Sequence, residues 1–180
     1  MRFNAQILSY LKTNGEFCTW VEKHLKESRK NVETALDQIV NTIINAIGIQ
    51  CITNIRLEEI FKMAKELATT EITTTWLLQD RALQIKGNGV NSEIFGEKFG
   101  SIVNDIALQS NLKSSTVYKL FSVLTPLILT DIYFNYKARR CSMEQMVEMI
   151  GKMTKGTRLS PQVRESLVGL QKKTQVPFRQ

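Results

Sequence analysis

The sequence has few of the residues that hold metal ions or cross-link small secreted proteins. Its three cysteines, Cys18, Cys51 and Cys141, are far apart and form no C-x-x-C pair, and His24 is the single histidine. An odd number of scattered cysteines does not fit a disulfide framework, and one histidine gives little support for a zinc site. We therefore expect reduced thiols, no bound metal and no cofactor.

Proline, glycine and targeting signals are also scarce. Three prolines and nine glycines in 180 residues favour a helix-rich chain without long flexible segments. Residues 1–12 contain no apolar run of signal-peptide length and no small-residue cleavage site. We expect no signal peptide and no membrane anchor, and hence a cytoplasmic protein.

Against this background, residues 117–134 are strongly apolar, with twelve large apolar residues among eighteen. The few polar positions form one thin stripe at helical spacing: Lys119, Ser122, Pro126 and Thr130. A helix with so little polar surface is buried on nearly all sides. Charged Lys119 and Asp131 interrupt the run, which favours a core helix over a membrane span. Pro126 predicts a kink or a break near Thr125.

Local signals predict where other helices begin and end. Thr13–Glu16 and Ser142–Gln145 fit capping boxes, in which a hydroxyl and a carboxylate or carboxamide satisfy free backbone amides. Ser160-Pro161 fits an N-cap followed by a first helical residue. The run Lys86–Gly89, with two glycines, predicts a break.

The chain matches itself at an offset of 85 residues. The aligned apolar pairs include Phe17 with Ile102, Val32 with Val117, Leu36 with Phe121, and Ile43 with Ile128. The shared unit is a short helix, a turn and a longer apolar helix, which suggests an internal duplication. We predict an all-α, multihelical single domain over residues 1–153, built from two pseudo-repeated helix–turn–long-helix units. Residues 154–180 would form a basic C-terminal extension with a short helix.

Several of these segments resemble the YidB-like family of small bacterial helical proteins of unknown function. The resemblance rests on Gly89–Gly96, Ile102–Ala107, the turn at Asn111-Leu112, and Leu120–Leu129. It covers roughly residues 12–153 and includes the repeated unit. The resemblance implies a soluble multihelical fold and supplies no catalytic residues. Family members often have glycine-rich C-terminal parts, whereas this chain has a basic end that contains methionine.

The net charge of +7 is concentrated at the C-terminal end. Residues 1–136 contain 14 basic and 14 acidic residues, whereas residues 137–180 contain 10 basic and only 3 acidic ones. A neutral body with a basic end favours acidic partners, which could be nucleic acid, an acidic protein or a membrane surface. The candidate contact residues are Lys137, Arg139, Arg140, Lys152, Lys155, Arg158, Arg164, Lys172 and Lys173. A solvated surface is the simpler interpretation of the same residues.

Two other patterns are weaker. Asp105–Phe121 resembles a helix-turn-helix, whose second helix would offer Ser114, Ser115, Thr116 and Lys119 to DNA. Core packing is favoured there, because the apolar surface of that helix nearly encircles it. The adjacent carboxylates Glu58 and Glu59 point in different directions on a helix, so we interpret them as part of a solvated face.

The sequence therefore favours a non-enzymatic cytoplasmic interaction or scaffold protein. The alternative is a nucleic-acid-binding protein that uses the basic C-terminal region. An enzyme is the least favoured class, because no group of polar residues suggests a catalytic site. The pattern leaves the protein partner and the oligomeric state open.

Overall fold

The computed structural model describes residues 3–51, 54–68, 81–155 and 157–173. These residues form helices joined by short turns and contain no β-strand, so the predicted all-α fold class is confirmed. In chain order the helices are α1 (Phe3–Thr13), α2 (Gly15–Trp20), α3 (Arg29–Gln50), α4 (Asn54–Ala68), α5 (Arg81–Phe95), α6 (Phe99–Ser110), α7 (Ser114–Arg139), α8 (Met143–Thr154) and α9 (Pro161–Lys173). A π-helical turn, Val21–Leu25, continues α2, and a 3₁₀ turn, Gly96–Lys98, joins α5 to α6.

Helix α7 lies at the centre of the fold, as its composition predicts. It packs against α3, α4, α5 and α6, and every residue from Leu120 to Pro126 is buried. Among the described residues it is the one helix long and apolar enough to cross a membrane, yet 67% of its apolar window is buried inside the protein. That burial is typical of a core helix.

Helix α3 is the second long helix of the core. Its apolar stripe, which includes Val32, Leu36, Ile39, Ile43 and Ile47, is buried. This stripe lets α3 pack against α7 and also against α1, α6, α8 and α9. The two long helices therefore contact each other and organise the remaining helices around them.

The helix boundaries follow the 85-residue offset. Helix α3 begins at Arg29 and α7 at Ser114. The turns before them contain Lys26 and Asn111, which both adopt the left-handed conformation, with φ of 52° and 53°. Both pairs are separated by 85 positions. Duplication of an ancestral unit remains a prediction that these boundaries support.

Two hydrogen bonds link the two segments that this offset would make equivalent units. Asn31 Nδ2 donates to the backbone carbonyl of Asn111, at 3.2 Å. Thr116 Oγ1 donates to the carboxylate of Glu27, at 3.0 Å. Asn31 and Thr116 occupy equivalent positions at the offset of 85, so each long helix contacts the turn of the other unit.

The helix break predicted at Lys86–Gly89 is wrong, because this run lies inside α5. A Cβ atom added to Gly87 would overlap the backbone oxygen of Ser122 in α7. Pro126 has no N–H, so it cannot donate to that Ser122 carbonyl four residues earlier. Glycine at position 87 lets α5 lie directly against α7 at the point where Pro126 leaves this carbonyl free. Close packing between the helices outweighs the low helix propensity of glycine.

The break considered at Thr125 is also absent, since α7 is continuous through Pro126. Three residues of the polar stripe, Ser122, Pro126 and Thr130, are buried, and Gly87 of α5 lies against the first two, whereas Lys119 is exposed. Between α7 and α5, Thr125 Oγ1 donates to Oδ1 of the buried Asn91, at 2.6 Å. A buried hydrogen bond of this kind fixes how the two helices sit against each other.

The capping predictions had mixed outcomes. Ser142 and Gln145 form the predicted capping box at α8, and Ser160 Oγ accepts from Val163 N at the start of α9. The box proposed at Thr13 is wrong, because Asn14 is the N-cap of α2 and accepts from Phe17 N. Asn and Thr both cap helices, and the sequence offered the two side by side.

Helix α9 lies on the body of the protein, against α3 and α6. Val163, Leu167 and Leu170 are buried there. The preceding loop is held by Asn45 Nδ2, which donates to Thr157 Oγ1 at 2.6 Å. The described part of residues 154–180 thus shares the core, while residue 156 and residues 174–180 lie outside the described residues. The boundary at residue 153 remains a prediction.

Candidate interaction surface

The structure places seven of the nine candidate contact residues on the protein surface. The exposed seven are Lys137, Arg139, Arg140, Lys152, Lys155, Arg158 and Arg164. Lys172 and Lys173 end α9, but their side chains lie outside the described part of the structure. They lie on three different helices and the turns between them, and we group them by their position in the chain.

The first group, which we call the α7–α8 cluster, consists of Lys137, Arg139 and Arg140 at the end of α7. Arg140 adopts the left-handed conformation, with φ of 48°. Its N–H donates to Lys137 O at 3.3 Å, and Cys141 N donates to Tyr136 O at 3.4 Å. These bonds satisfy carbonyls at the end of the helix and hold the cluster at a fixed corner.

A half-exposed aromatic ring stands beside this cluster. Phe134 is 50% exposed and precedes Lys137 by three residues, so the two side chains are neighbours on the helix surface. The next aromatic residue, Tyr136, packs against Phe61 of α4 with ring centroids 4.8 Å apart. Contact with α4 anchors the end of α7, and it leaves Phe134 and the cations facing solvent.

The second group, which we call the α8–α9 cluster, consists of Lys152, Lys155 and Arg158. Lys152 Nζ lies 2.6 Å from Glu148 Oε1. That hydrogen bond, helped by the charges of Lys152 and Lys155, lowers the pKa of the exposed Glu148 carboxyl. Arg158 is held through its backbone, since Asn41 Nδ2 donates to its carbonyl at 3.4 Å.

Helix α8 separates the two clusters. It has 12 residues, so its ends lie about 18 Å apart at a rise of 1.5 Å per residue. Its inner face carries Met146, Ile150 and Met153, which are buried. Met146 and Met153 are part of the core, and the partly buried Met143 and Met149 pack against it. Arg164 lies on α9 and is assigned to neither cluster.

Two of the four polar residues proposed to contact DNA in the helix-turn-helix-like segment, Ser114 and Thr116, already form hydrogen bonds within the chain. Thr116 is buried and donates to Glu27, and the N–H of Lys113 also approaches the Glu27 carboxylate, at 3.4 Å. A helix N-terminus attracts anions, but here a carboxylate of the same chain already lies beside it. Ser115 and Lys119 are exposed, and so is Ser114, whose Oγ donates to Asn104 Oδ1 at 2.8 Å. The structure thus favours packing over DNA contact for this segment.

Sequence reasoning missed one feature, an acidic groove between α4 and α5. Glu59 and Glu66 of α4 line it together with Glu93 of α5. Glu59 and Glu66 are seven residues apart, which places them on one helix face. That spacing was available in the sequence, whereas the approach of Glu93 depends on how α5 packs.

The described residues form a small all-α protein. Residues 11–133, more than half of the chain, match the family described as "Bacterial protein of unknown function (DUF937)". The chain belongs to this family, and the YidB-like resemblance is consistent with that membership. No curated protein matches the chain, and no solved structure does. The match ends before Lys137, so both cationic clusters lie beyond the part of the chain that matches the family.

Proposed function

We propose that this protein is a non-enzymatic interaction protein that binds an acidic protein surface through its α7–α8 and α8–α9 clusters. The observation that carries this proposal is the distribution of charge. Residues 11–133 contain 13 basic and 14 acidic residues, whereas the seven described candidate cations beyond them are all exposed. A neutral, packed body with an exposed cationic end suits electrostatic recognition.

The α7–α8 cluster has the composition of an interface centre. Arginine and large aromatic side chains are enriched at protein interfaces and contribute much of the binding free energy. Arg139, Arg140 and the half-exposed Phe134 are close together in the chain at the end of the rigid α7. The helix fixes the backbone at this position, so binding would not need to order the backbone there, while each long side chain would still lose rotamer freedom.

The α8–α9 cluster would extend the contact. A partner that touches both clusters needs negative charge over about 18 Å, the length of α8. Arg158 and Lys155 have no ion-pair partner within the described residues, so they are available to an external carboxylate. Lys152 is already paired with Glu148 and contributes less.

A cytoplasmic location is part of this proposal. Cys18, Cys51 and Cys141 are free thiols in the structure, and free thiols are the usual state of cysteine in a reducing compartment. Burial raises the pKa of the Cys51 thiol to about 12, so this cysteine stays protonated and unreactive.

Nucleic acid is the second candidate partner. Phe134 beside Lys137 favours it, because an exposed ring flanked by cations can stack on a base while the cations meet phosphates. Glu144 and Glu148 on α8 work against it, since both lie between the two clusters and would repel a continuous phosphate backbone. An acidic protein can place its carboxylates around these glutamates.

The two candidates differ in a direct experiment. The full chain would be used to capture partners from bacterial extract, with and without nuclease, and compared with the charge-reversal variant K137E/R139E/R140E. A matched control, K23E/K30E/K119E, reverses three exposed cations elsewhere. We expect a nuclease-resistant protein partner that the first variant loses and the control retains.

Two results would change this conclusion. Capture that disappears with nuclease, together with purified DNA or RNA binding that weakens steeply with salt, would replace the acidic protein by nucleic acid. Equal capture by the wild type and both variants would remove the cationic clusters from the function altogether.

A further inference from the structure

The exposed face of α8 carries its charges in a definite order. Glu144, Glu148, Lys152 and Lys155 are all exposed, and they follow one another at spacings of four, four and three residues. Residues at these spacings are neighbours on one side of a helix, here the side away from the buried face of α8. Two negative charges therefore precede two positive charges along this side.

Both carboxylates are held by neighbouring side chains. Ser142 Oγ donates to Glu144 Oε2 at 2.7 Å, and Lys152 Nζ lies 2.6 Å from Glu148 Oε1. The hydrogen bond from Ser142 lowers the pKa of the Glu144 carboxyl, and the hydrogen bond from Lys152 lowers the pKa of the Glu148 carboxyl. Both groups are therefore ionised at neutral pH, and Glu148 offsets part of the charge of Lys152.

The two glutamates lie between the α7–α8 cluster and the α8–α9 cluster in the chain. Glu144 follows Arg140 by four residues, so their Cα atoms are at most about 14 Å apart. Glu148 precedes Lys152 by four residues on the same helix, which is about 6 Å along the helix axis. At about 10 mM salt the Debye length is about 30 Å. Both carboxylates thus act on any ligand that contacts the two clusters together.

This order of charges distinguishes two kinds of acidic ligand. A continuous polyanion that contacts both clusters must place negative groups near Glu144 and Glu148, where like charges repel. A protein with two separate groups of carboxylates can place uncharged side chains there instead. Interfaces commonly reject wrong partners by opposing like charges in this way.

We propose that Glu144 and Glu148 determine the specificity of the cationic surface by excluding continuous polyanions and admitting proteins whose negative charge is interrupted opposite α8. This inference rests on the function proposed above, because it requires one partner to contact both clusters. Such a partner carries two acidic groups about 18 Å apart, the length of α8, with uncharged residues between them.

Two peptides of identical composition would test whether charge order matters. The peptide DDDGSGSGSDDD has two acidic groups whose separation reaches about 20 Å in an extended chain, whereas DDDDDDGSGSGS has one continuous group. Fluorescence anisotropy at about 10 mM salt would measure binding of each labelled peptide, and of oligothymidylate, to the full chain. We expect the wild type to bind the interrupted peptide about threefold tighter than the continuous one.

Neutral variants would assign this preference to the two glutamates. In E144Q/E148Q the preference for the interrupted peptide should disappear, and oligothymidylate should bind about tenfold tighter than to the wild type. E144Q alone leaves the pair of Glu148 with Lys152 in place, so any loss of preference in this variant reports repulsion by Glu144. The matched control, E22Q/E58Q, removes two exposed carboxylates outside α8 and should keep the preference of the wild type.

The failure of this inference differs from the failure of the proposed function. Equal binding of the two peptides by the wild type overturns the inference alone, provided that K137E/R139E/R140E abolishes the binding of both. An equal loss of preference in E22Q/E58Q and E144Q/E148Q also overturns it, because only net charge would then be acting. Binding that K137E/R139E/R140E leaves unchanged, or absence of binding to all three ligands, overturns the proposed function together with this inference.

Discussion

At the scale of single residues, backbone conformation accounts for how α7 ends. Arg140 closes the helix with φ of 48°, a region in which side chains with a Cβ are disfavoured by roughly 1–2 kcal/mol. Glycine is the usual residue at this position of a helix end. An arginine at this position adds a positive charge to the α7–α8 cluster at the end of α7.

Replacing Arg140 with glycine should therefore stabilise the protein. We expect the free energy of unfolding to rise by about 0.5–1 kcal/mol, because glycine adopts the left-handed conformation without steric cost. Arg139→Gly, one residue earlier and inside α7, should instead lower it by up to about 1 kcal/mol. Urea denaturation of both variants would measure the difference, and a lower stability for Arg140→Gly would contradict the argument.

The two glycines of α5 should respond in opposite ways to alanine. A methyl group on Gly87 meets Ser122 O and Pro126 Cγ, whereas nothing lies within 4 Å of the same group on Gly89. Gly87→Ala should destabilise by about 1–3 kcal/mol through overpacking, and Gly89→Ala should stabilise by up to about 1 kcal/mol through helix propensity. Equal effects in denaturation experiments would mean that α5 does not lie against α7 in this way.

Asp131 predicts a pH-dependent effect. Burial raises the pKa of its carboxyl above the ordinary value of 3.8, so the folded state binds a proton more readily than the unfolded state does. This group stabilises the protein below that ordinary pKa, and the contribution is lost as pH rises through the folded pKa. As pH rises through this range, the unfolding free energy of Asp131→Asn should increase relative to that of the wild type. Asn135 Nδ2 donates to Asp131 Oδ2 at 3.3 Å, and the carboxamide oxygen of asparagine can still accept this bond.

The measurement for Asp131 is the unfolding free energy of both proteins between about pH 3.5 and pH 7, where the ordinary carboxyl pKa of aspartate falls. A difference between the two proteins that stays constant with pH would show that the carboxyl titrates alike in the folded and unfolded states.

At the scale of elements, local composition predicted some helices correctly and failed to predict others. The apolar content around Leu120–Leu129 predicted a buried helix, because very little of that helix could face water. The course of α5 could not be predicted in the same way. Any rule based on local helix propensity predicts a break at its glycines. The contact that compensates, with Ser122 and Pro126, involves residues 35 or more positions away in the chain.

The contact between the two units can be measured as a coupling energy. Glu27→Ala and Thr116→Val each remove one side of the hydrogen bond at 3.0 Å. A double-mutant cycle should give a coupling of about 1–3 kcal/mol, because the acceptor is charged and the donor is buried. Ser114 bonds to Asn104 instead, so the cycle of Glu27→Ala with Ser114→Ala should give coupling near zero. Similar values for both cycles would contradict the specific bond.

At the scale of the whole molecule, the sequence shows that the cations lie at one end of the chain. It does not show where they lie in the folded protein. Exposure of Lys137 or Arg158 could be expected from their charge alone. Their separation into two clusters depends on α8 forming a helix between them, which the capping box at Ser142 did predict. The acidic groove required tertiary knowledge, since Gln50, Glu66 and Glu93 come from three helices that approach only after folding.

The features described at all three scales depend on α7 lying at the centre of the core. Native-state hydrogen exchange of the amides between Val117 and Ile132 tests this most directly. The account predicts that these amides exchange only through global unfolding, with a free energy equal to that from urea denaturation, because the helix is enclosed by α3, α4, α5 and α6. Rapid exchange along this stretch, typical of a helix open to solvent, would contradict it.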